Sequence, residues 1–323
     1  MNAIEANELR KVFPSEVEAV AGIDLAVHQG EILGFLGPNG AGKTTTTRIL
    51  TTLLRPTSGS ARVAGHEVLT EPHDVRRAVG VALQEAGLDA LATGRELLVL
   101  QARLHGFHGA EPATRASELL ELVGLTDAAD RRVKTYSGGM KRRLDLASAL
   151  IHGPRILFLD EPTAGLDPAS RHAIWDEVRR LNREDGITVF LTTQYLEESD
   201  RMADHLAIID HGRIVAWGTP EELKGSIGSD VVTVEVPVEE RDRAHTALSA
   251  LPGLKEMQVE ESAITLFVSD GSGAAAGIIR LLVEAAVHVG SVKLSSPTLD
   301  EVFLRATGSR LEGASGNGER EAP

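Results

Sequence analysis

A glycine-rich run between two apolar segments restricts the possible folds of this chain more than any other feature. The run is Gly37-Pro-Asn-Gly-Ala-Gly-Lys-Thr44, with a strand-like segment before it (32–36) and a helix-like segment after it (43–53). Glycines let a backbone wrap around phosphates and point its N–H groups inward, and the following helix adds the positive end of its dipole. We expect Lys43 to reach the β- and γ-phosphates of a nucleotide and the Thr44 hydroxyl to bind Mg²⁺. The sequence therefore predicts a nucleotide site in a strand–helix alternating α/β domain.

Two adjacent carboxylates end a second apolar strand. The segment 156–159 leads directly into Asp160 and Glu161. Taken alone, such a pair is usually a strand end that meets solvent, but a phosphate-binding loop upstream favours a catalytic role. We expect Asp160 to hold Mg²⁺ through a water molecule and Glu161 to orient and polarise the attacking water.

A third motif, Tyr136-Ser-Gly-Gly-Met140, opens an amphipathic helix over 141–150. Ser137 before two glycines would by itself be interpreted as a helix N-cap. The other motifs change that interpretation because they occur in a fixed order along the chain: Phe13, the loop 37–44, Gln84, Ser137–Gly139, Asp160–Glu161 and Ala164–Asp167. With this order the chain resembles the ABC (ATP-binding cassette) ATPases over residues 5–220 approximately.

The resemblance implies a P-loop NTPase fold, the ABC cassette, with a RecA-like core, an antiparallel β subdomain and a helical subdomain. It implies ATP and Mg²⁺ as cofactors, with Phe13 stacked on adenine. The remaining nucleotide contacts would come from Gly37, Pro38, Asn39, Gly40, Ala41, Gly42, Lys43, Thr44 and Thr45, and the Mg²⁺ contacts from Thr44, Gln84 and Asp160. It also implies a homodimer with two ATP molecules between the copies. In that dimer Ser137, Gly138, Gly139 and Asp167 would act across the interface.

One position departs from the ABC pattern. Most members have a histidine that contacts the γ-phosphate where this chain has Gln194, after the strand-like segment 187–192. A glutamine can hydrogen-bond a phosphate or the lytic water but cannot become cationic. The change therefore concerns the rate of hydrolysis rather than nucleotide binding, and Gln194 is grouped with Glu161 as a catalytic candidate.

Gln194, Tyr136, Met140 and the run Leu299-Asp-Glu-Val-Phe-Leu304 resemble the daunorubicin/doxorubicin-resistance ATPase subfamily, to about residue 308. That resemblance implies a separately encoded membrane-spanning permease as the partner. It also implies that ATP hydrolysis drives efflux of an antibiotic or another hydrophobic drug. The resemblance further implies that the residues that bind the transported compound lie in the permease.

The sequence predicts two domains and a tail. Residues 1–224 are expected to form the ATPase domain, with a helical insertion at about 90–150. After a small polar linker at 225–229, a smaller domain to residue 307 has the segment order β-α-β-β-α-β of a ferredoxin-like domain. We expect it to serve assembly, with Phe303 either docking onto the ATPase domain or its twin in the dimer or closing its own small core. The Gly/Ser/Glu-rich end, 308–323, is predicted to be disordered.

Composition and charge limit the possible partners. The 323-residue chain has no cysteine, which excludes disulfides and thiolate chemistry, and its formal net charge of −14 disfavours nucleic acid. The basic groups Arg131–Arg132 and Lys141–Arg143 are expected to be helix-surface charges. We find neither a secretion signal nor an apolar run of about 18 residues. Together with these observations, the resemblance to the drug-resistance ATPases implies a peripheral location on the cytoplasmic face of the cell membrane.

Three other functions remain open. A soluble ABC-type ATPase of translation or DNA repair usually has two cassettes or long coiled-coil arms, and this chain has one cassette and no sustained heptads. A second possibility is a nucleotide-dependent regulator that does not hydrolyse ATP. Gln194 in place of the usual histidine favours this function, whereas the candidate catalytic carboxylate Glu161 argues against it. An importer subunit is not excluded by the cassette alone, but the terminal run 299–304 favours export.

Overall fold

The computed structural model describes residues 1–83, 87–227, 230–259, 263–269, 271–295 and 298–308. The chain divides into two compact units, Met1–Trp217 and Gly218–Pro323. Gln84, one of the predicted Mg²⁺ contacts, and the predicted tail beyond residue 308 lie outside the described residues.

Strands and helices alternate along the first unit. Its elements in chain order are β1 (Asn2–Val12), β2 (Glu18–His28), β3 (Ile32–Leu36), α1 (Lys43–Leu50), β4 (Ser58–Val63), β5 (His66–Glu67), α2 (Pro72–Ala78), β6 (Val79–Ala82), α3 (Gly94–Leu104), α4 (Glu111–Leu122), α5 (Gly138–Ala149), β7 (Ile156–Asp160), α6 (Pro168–Asp185), β8 (Thr188–Thr193), α7 (Leu196–Met202), β9 (His205–Asp210) and β10 (Arg213–Gly218). Helix α1 was expected to reach residue 53 but ends at Leu50, and Thr52 then has a left-handed backbone with φ 64°.

The central sheet determines where the site can form. Its strand order is β10-β9-β3-β8-β7-β6, and β9, β3, β8, β7 and β6 run parallel. Strands β3, β7 and β8 are buried along their whole length, which explains their continuous apolar sequence. Because these strands are parallel, the segments that follow β3, β7 and β8 emerge at the same edge of the sheet. Ligands of open α/β sheets bind at this carboxyl edge, where neighbouring connections diverge.

Other layers cover the central sheet. The strands β2-β1-β4-β5 form a second sheet, antiparallel where β1 pairs with β2 and β4. Its apolar side chains share a core with Phe35, Phe158 and Phe190 of the central sheet. The ring centroid of Phe190 lies 5.2 Å from that of Phe35 and 5.3 Å from that of Phe158. A second core joins α3, α4, α5 and α6 to other side chains of the central strands, among them Leu157 and Leu191. The predicted helical region from 93 to 123 is therefore two helices, separated by turns at Gly106 and Gly109.

The second unit begins with α8 (Pro220–Ile227) and continues with β11 (Asp230–Glu235), α9 (Arg241–Leu248), β12 (Leu254–Val259), β13 (Ala263–Val268), α10 (Gly271–Glu284), β14 (Ser291–Ser295) and α11 (Leu299–Thr307). The sheet order is β12-β13-β11-β14 with antiparallel pairing, so the expected ferredoxin-like order is observed. The predicted linker is wrong at residues 225–227, which belong to α8. Helix α10 was expected to reach residue 289 but ends at Glu284, before Ala286 with φ 51°.

No helix among the described residues combines the length and the apolar character that a membrane span requires.

Candidate functional site

The loop between β3 and α1 leaves no space for side chains at two of its glycines. A Cβ at Gly37 would lie 2.4 Å from the carbonyl oxygen of Ile209, and one at Gly42 would lie 2.3 Å from that of Ala19. Gly42 also has φ 108°, a conformation that strains other residues. The glycines predicted to shape a phosphate loop are therefore required by the fold around them.

Lys43, the first residue of α1, places its ammonium group inside this loop. Its Nζ donates hydrogen bonds to the carbonyl oxygens of Gly37 (2.7 Å) and Pro38 (3.1 Å) and lies 3.4 Å from Glu161 Oε1. Burial lowers the pKa of Lys43, and the charges of Glu161 and Asp160 oppose that shift. The loop thus holds a buried positive charge at the point where its backbone curves.

Asp160 ends β7 with its side chain fully buried beside α1. Its Oδ1 accepts hydrogen bonds from the hydroxyl groups of Thr192 (2.5 Å) and Thr44 (3.3 Å). Its Oδ2 is buried and has no hydrogen-bond partner. A buried carboxylate oxygen without a partner is costly unless a cation is coordinated there. Because Mg²⁺ prefers oxygen ligands, Thr44 and Asp160 fit such an ion.

Glu161 has a left-handed backbone, with φ 49°, which is uncommon for a residue other than glycine. Its N–H donates to both the carbonyl oxygen and the hydroxyl of Thr192, at 3.1 Å each. This conformation turns the nearly buried Glu161 side chain towards Lys43. Strained backbones of this kind concentrate at functional sites.

These groups border one cavity of about 210 Å³. Its lining consists of Ala19, Pro38, Asn39, Gly40, Gly42, Lys43, Thr44, Thr45 and Glu161. Ala41 is buried beneath it and accepts a hydrogen bond from Gly212 N. The structure therefore brings together the predicted phosphate loop, Thr45 and the predicted catalytic carboxylate.

Ser137 and Asp167 are both helix caps within this chain. Ser137 Oγ accepts a hydrogen bond from Met140 N (3.2 Å) at the start of α5, and Asp167 accepts bonds from Ser170 N (3.0 Å) and Ser170 Oγ (2.6 Å) at the start of α6. A Cβ at Gly139 would lie 2.7 Å from Ser170 Oγ. Ser170, which the sequence did not single out, therefore contacts both predicted motifs. Ser137, Gly138 and Asp167 are exposed, so they are accessible to a second molecule.

The remaining predicted residues lie at two other places. Phe13 is half-buried in the turn between β1 and β2, with Lys11 Nζ 5.3 Å from its ring centroid. Gln194 is half-buried and directly follows β8, between Thr193 and Tyr195.

Two buried charged residues near the site were missed or misjudged from the sequence. Arg142 was expected to be a helix-surface charge, but it is 8% exposed and contacts the ends of β6 and β7. Glu198 of α7 is fully buried and accepts hydrogen bonds from Thr193, Thr163 and Trp175. The spacing of Arg142 and Asp145, three residues apart on one helix, indicates that the two can pair but does not indicate that they are buried.

Comparisons with known proteins agree with this geometry. Residues 20–164 match the family model described as "ABC transporter", and residues 218–307 match the C-terminal domain of DrrA1-3-like ATP-binding proteins. The daunorubicin/doxorubicin resistance ATP-binding protein DrrA of Streptomyces peucetius is 48% identical over 311 residues, which cover 95% of this chain and 92% of that protein.

A second relative and a solved structure extend the comparison. The Nod factor export ATP-binding protein I of Cupriavidus metallidurans is 40% identical over 312 residues, covering 95% of this chain and 98% of that protein. The ATP-binding cassette MJ0796, solved as a post-hydrolysis dimer bound to ADP and phosphate, superposes with a TM-score of 0.62 at 25% identity. That match covers 67% of this chain and 98% of the cassette.

Proposed function

This chain belongs to the family of ABC transporter ATP-binding subunits that includes the daunorubicin/doxorubicin-resistance proteins, and we propose that it drives export of a drug-like compound through a separately encoded membrane-spanning permease. Its activity is ATP hydrolysis coupled to transport. The observation that supports hydrolysis most directly is Glu161, turned by its left-handed backbone to 3.4 Å from Lys43 beside the phosphate loop.

The loop 37–45 binds the nucleotide phosphates in this proposal. Lys43 exchanges its bonds to the carbonyls of Gly37 and Pro38 for the β- and γ-phosphate oxygens, and the first N–H groups of α1 add donors at a positive helix end. Phe13, in the turn between β1 and β2, stacks on the adenine. Half-burial beside Lys11 leaves one part of the Phe13 ring accessible for this contact.

Thr44 and Asp160 would hold Mg²⁺, with Gln84 as a further ligand. The unpartnered Asp160 Oδ2 and the Thr44 hydroxyl near Oδ1 support this assignment. When bound, the ion neutralises charge on the phosphate oxygens. Thr192 fixes the orientation of Asp160 by donating to its Oδ1.

Glu161 orients the attacking water and accepts its proton. Lys43 keeps the Glu161 carboxylate close to the phosphate position, and Thr192 holds the backbone that presents it. Gln194 donates a hydrogen bond to the γ-phosphate or the lytic water. Because an amide remains neutral, it stabilises the growing negative charge less than a cationic histidine does.

Two copies of the chain enclose the nucleotides in the proposed assembly. The exposed caps at Ser137, Gly138 and Asp167 lie at helix N-termini, where N–H groups favour anions. In the dimer they contact the nucleotide held by the other copy. The solved dimer of MJ0796 supports this arrangement.

ATP binding closes the dimer and hydrolysis reopens it, because loss of the γ-phosphate removes the contacts of Ser137–Gly139. The permease converts this motion into release of the compound, which places the subunit at the cytoplasmic face of the membrane. The relative named for daunorubicin/doxorubicin resistance is 48% identical and the Nod factor exporter subunit 40%, which favours a drug over a Nod factor as the exported compound.

The decisive experiment changes Glu161 to Gln, which preserves the shape of the side chain and removes its charge. We expect ATP turnover to fall by about 10²- to 10⁴-fold, the contribution of a positioned base, while MgATP still binds. ATP-bound dimers should then accumulate in gel filtration with MgATP and not with MgADP. The measurements are steady-state turnover, equilibrium nucleotide binding and gel filtration, with the permease present if the isolated subunit dimerises weakly.

Two controls define the interpretation. Glu121→Gln, an exposed glutamate on α4, should behave as the wild type. Lys43→Ala should lose most of its nucleotide affinity. Wild-type turnover in Glu161→Gln would exclude Glu161 as the catalytic carboxylate, and wild-type ATP affinity in Lys43→Ala would exclude the phosphate-loop assignment.

A further inference from the structure

A single buried guanidinium group contacts the backbone on both sides of Glu161. Arg142, on the second turn of α5, donates from Nη2 to the carbonyl oxygen of Asp160 (2.8 Å) and from Nε to that of Pro162 (2.8 Å). These are the residues immediately before and after Glu161 in the chain. The two hydrogen bonds thus hold the peptide unit that leads into the left-handed Glu161 and the unit that follows Pro162.

The third nitrogen of Arg142 extends this connection to another strand. Nη1 donates to the carbonyl oxygen of Leu83, just beyond β6, and lies 3.1 Å from Asp145 Oδ2 on the same helix. Leu83 immediately precedes Gln84, the residue predicted to contact Mg²⁺. One side chain therefore links α5, the end of β6 and the end of β7.

Only arginine has the geometry for these contacts. Its planar guanidinium has donors on three nitrogen atoms that point in different directions, whereas a lysine ammonium has all its donors on one nitrogen. The side chain is 8% exposed, so its charge is largely withdrawn from water. Asp145 compensates that charge directly, and Asp160, Glu161 and Glu198 contribute at longer range.

The backbone of Glu161 is held from the opposite side as well. Its N–H bonds to Thr192 of β8, while Arg142 binds the carbonyl oxygens of its two neighbours. An uncommon backbone conformation persists only where its surroundings impose it. Thr192 and Arg142 together supply such surroundings, and the Arg142 contacts come from a helix that begins at Ser137.

We propose that Arg142 is a positioning residue for ATP hydrolysis, which holds Glu161 in its left-handed conformation and connects it to the helix that begins with Ser137–Gly139. The inference rests on the proposed role of Glu161 as the base. Arg142 itself touches neither nucleotide nor water in this proposal. It acts on the rate of the chemical step and leaves the phosphate loop unchanged.

The test compares Arg142→Lys and Arg142→Gln with the matched variants Arg143→Lys and Arg143→Gln. Arg143 is the neighbouring arginine of α5, and it bonds instead to the carbonyl oxygens of Val123 and Gly124. We expect kcat of both Arg142 variants to fall by about 10²-fold, as misplacement of a catalytic group by about 1 Å can cause. KM for ATP and the affinity for MgADP should stay close to wild type, and both Arg143 variants should keep wild-type kcat.

The lysine variant separates positioning from charge. Arg142→Lys keeps the positive charge but cannot bind the carbonyls of Leu83, Asp160 and Pro162 together, so we expect it to lose as much activity as Arg142→Gln. Wild-type kcat in either Arg142 variant would overturn the inference. A parallel loss of kcat and MgADP affinity would also overturn it, because that pattern indicates general damage to the fold.

Two further measurements keep the result interpretable. Millimolar guanidinium should restore turnover to Arg142→Ala without changing KM, whereas methylammonium should not; equal effects of the two ions would count against the proposal.

If no Arg142 variant folds, Asp145→Asn takes their place, since it removes the charge that orients Nη1. Its kcat should fall with KM unchanged, and wild-type kcat would contradict the inference.

Failure of this inference differs from failure of the proposed function. If Glu161→Gln is inactive while the Arg142 variants are normal, only the positioning role is wrong. If Glu161→Gln is itself normal, the assignment of the catalytic base is wrong.

Discussion

At the scale of single residues, the site contains three buried charged side chains: Lys43, Asp160 and Glu161. Their contacts explain why these charges can be buried. Lys43 forms an ion pair with Glu161 and donates hydrogen bonds to carbonyl oxygens of the loop. Asp160 accepts hydrogen bonds from two hydroxyl groups. A buried charge without such partners would be neutralised or would destabilise the fold. The orphaned Asp160 Oδ2 is the exception, and it lies where the ion is proposed to bind.

Asp145 leads to a prediction about pH. Burial raises its pKa from 3.8 to about 6, although Arg142 acts in the opposite direction. Because the folded-state pKa is the higher one, Asp145 favours the folded state below pH 3.8 approximately, and this contribution disappears as pH rises through about 6.

We therefore expect Asp145→Asn to gain stability relative to the wild type by about 2 kcal/mol between pH 4 and pH 7 approximately. Urea unfolding of both proteins at a series of pH values measures this difference, and the groups shared by the two proteins cancel. Parallel stability curves for the two proteins would show that Asp145 titrates normally. The control is Asp127→Asn, which removes an aspartate from an exposed position.

At the scale of elements, α5 connects the exposed cap at Ser137 to the interior of the site. Tyr136, just before the cap, is buried, and its hydroxyl donates to the carbonyl oxygen of Ala128 (2.7 Å). A Cβ at Gly94 would lie 2.6 Å from that hydroxyl, so α3 packs closely against it. Tyr136 was noted in the sequence as a mark of the subfamily, and in the structure it fixes the start of α5.

Tyr136→Phe should remove this hydrogen bond and leave the Ala128 carbonyl oxygen with the Arg131 N–H as its donor. We expect the free energy of unfolding to fall by about 1 kcal/mol. Affinity for MgATP should not change, because the phosphate loop is on another element. Tyr195→Phe is the matched control, since Tyr195 is the other tyrosine of the chain and its ring contacts Arg171. Lost nucleotide affinity in Tyr136→Phe would mean that the residue acts at the site.

At the scale of the whole molecule, two units with separate cores share the chain. The core of the second unit is formed by β11–β14, α9 and α10. Phe303 of α11 is 1% exposed, as buried as Leu304 beside it. The assembly role of this unit stays a prediction.

A truncated chain tests that role, and the structure determines where it should end. A cut after Lys224 would divide α8, whereas a chain ending at Gly218 keeps β10 whole and removes α8 and everything that follows it. We expect the chain 1–218 to fold and bind MgATP with the affinity of the full chain. It should fail to form a stable complex with the permease when the two are co-expressed and purified from membranes. A complete and active complex would show that the second unit has no assembly role.

Much of the fold follows from local patterns. The buried strands β3, β7 and β8 were predictable because continuous apolar runs are typical of parallel strands, and the ferredoxin-like order followed from alternating segments. The errors lie at helix ends and in the linker. Gly225 and Ser226, for example, favour a turn by their propensity, but α8 continues through both. Such positions are poorly predicted because tertiary packing can override local propensity.

The sequence by itself determined the identity and order of the chemical groups: the phosphate loop, the carboxylate pair and the Ser-Gly-Gly cap. These depend on residues adjacent in the chain, so spacing reveals them. Only the tertiary structure decided that Arg142 is buried and that its donors meet the backbone on both sides of Glu161. The physical reason is that burial and backbone conformation depend on packing between distant segments. A charge in a run of basic residues looks the same in sequence whether it faces water or the end of a strand.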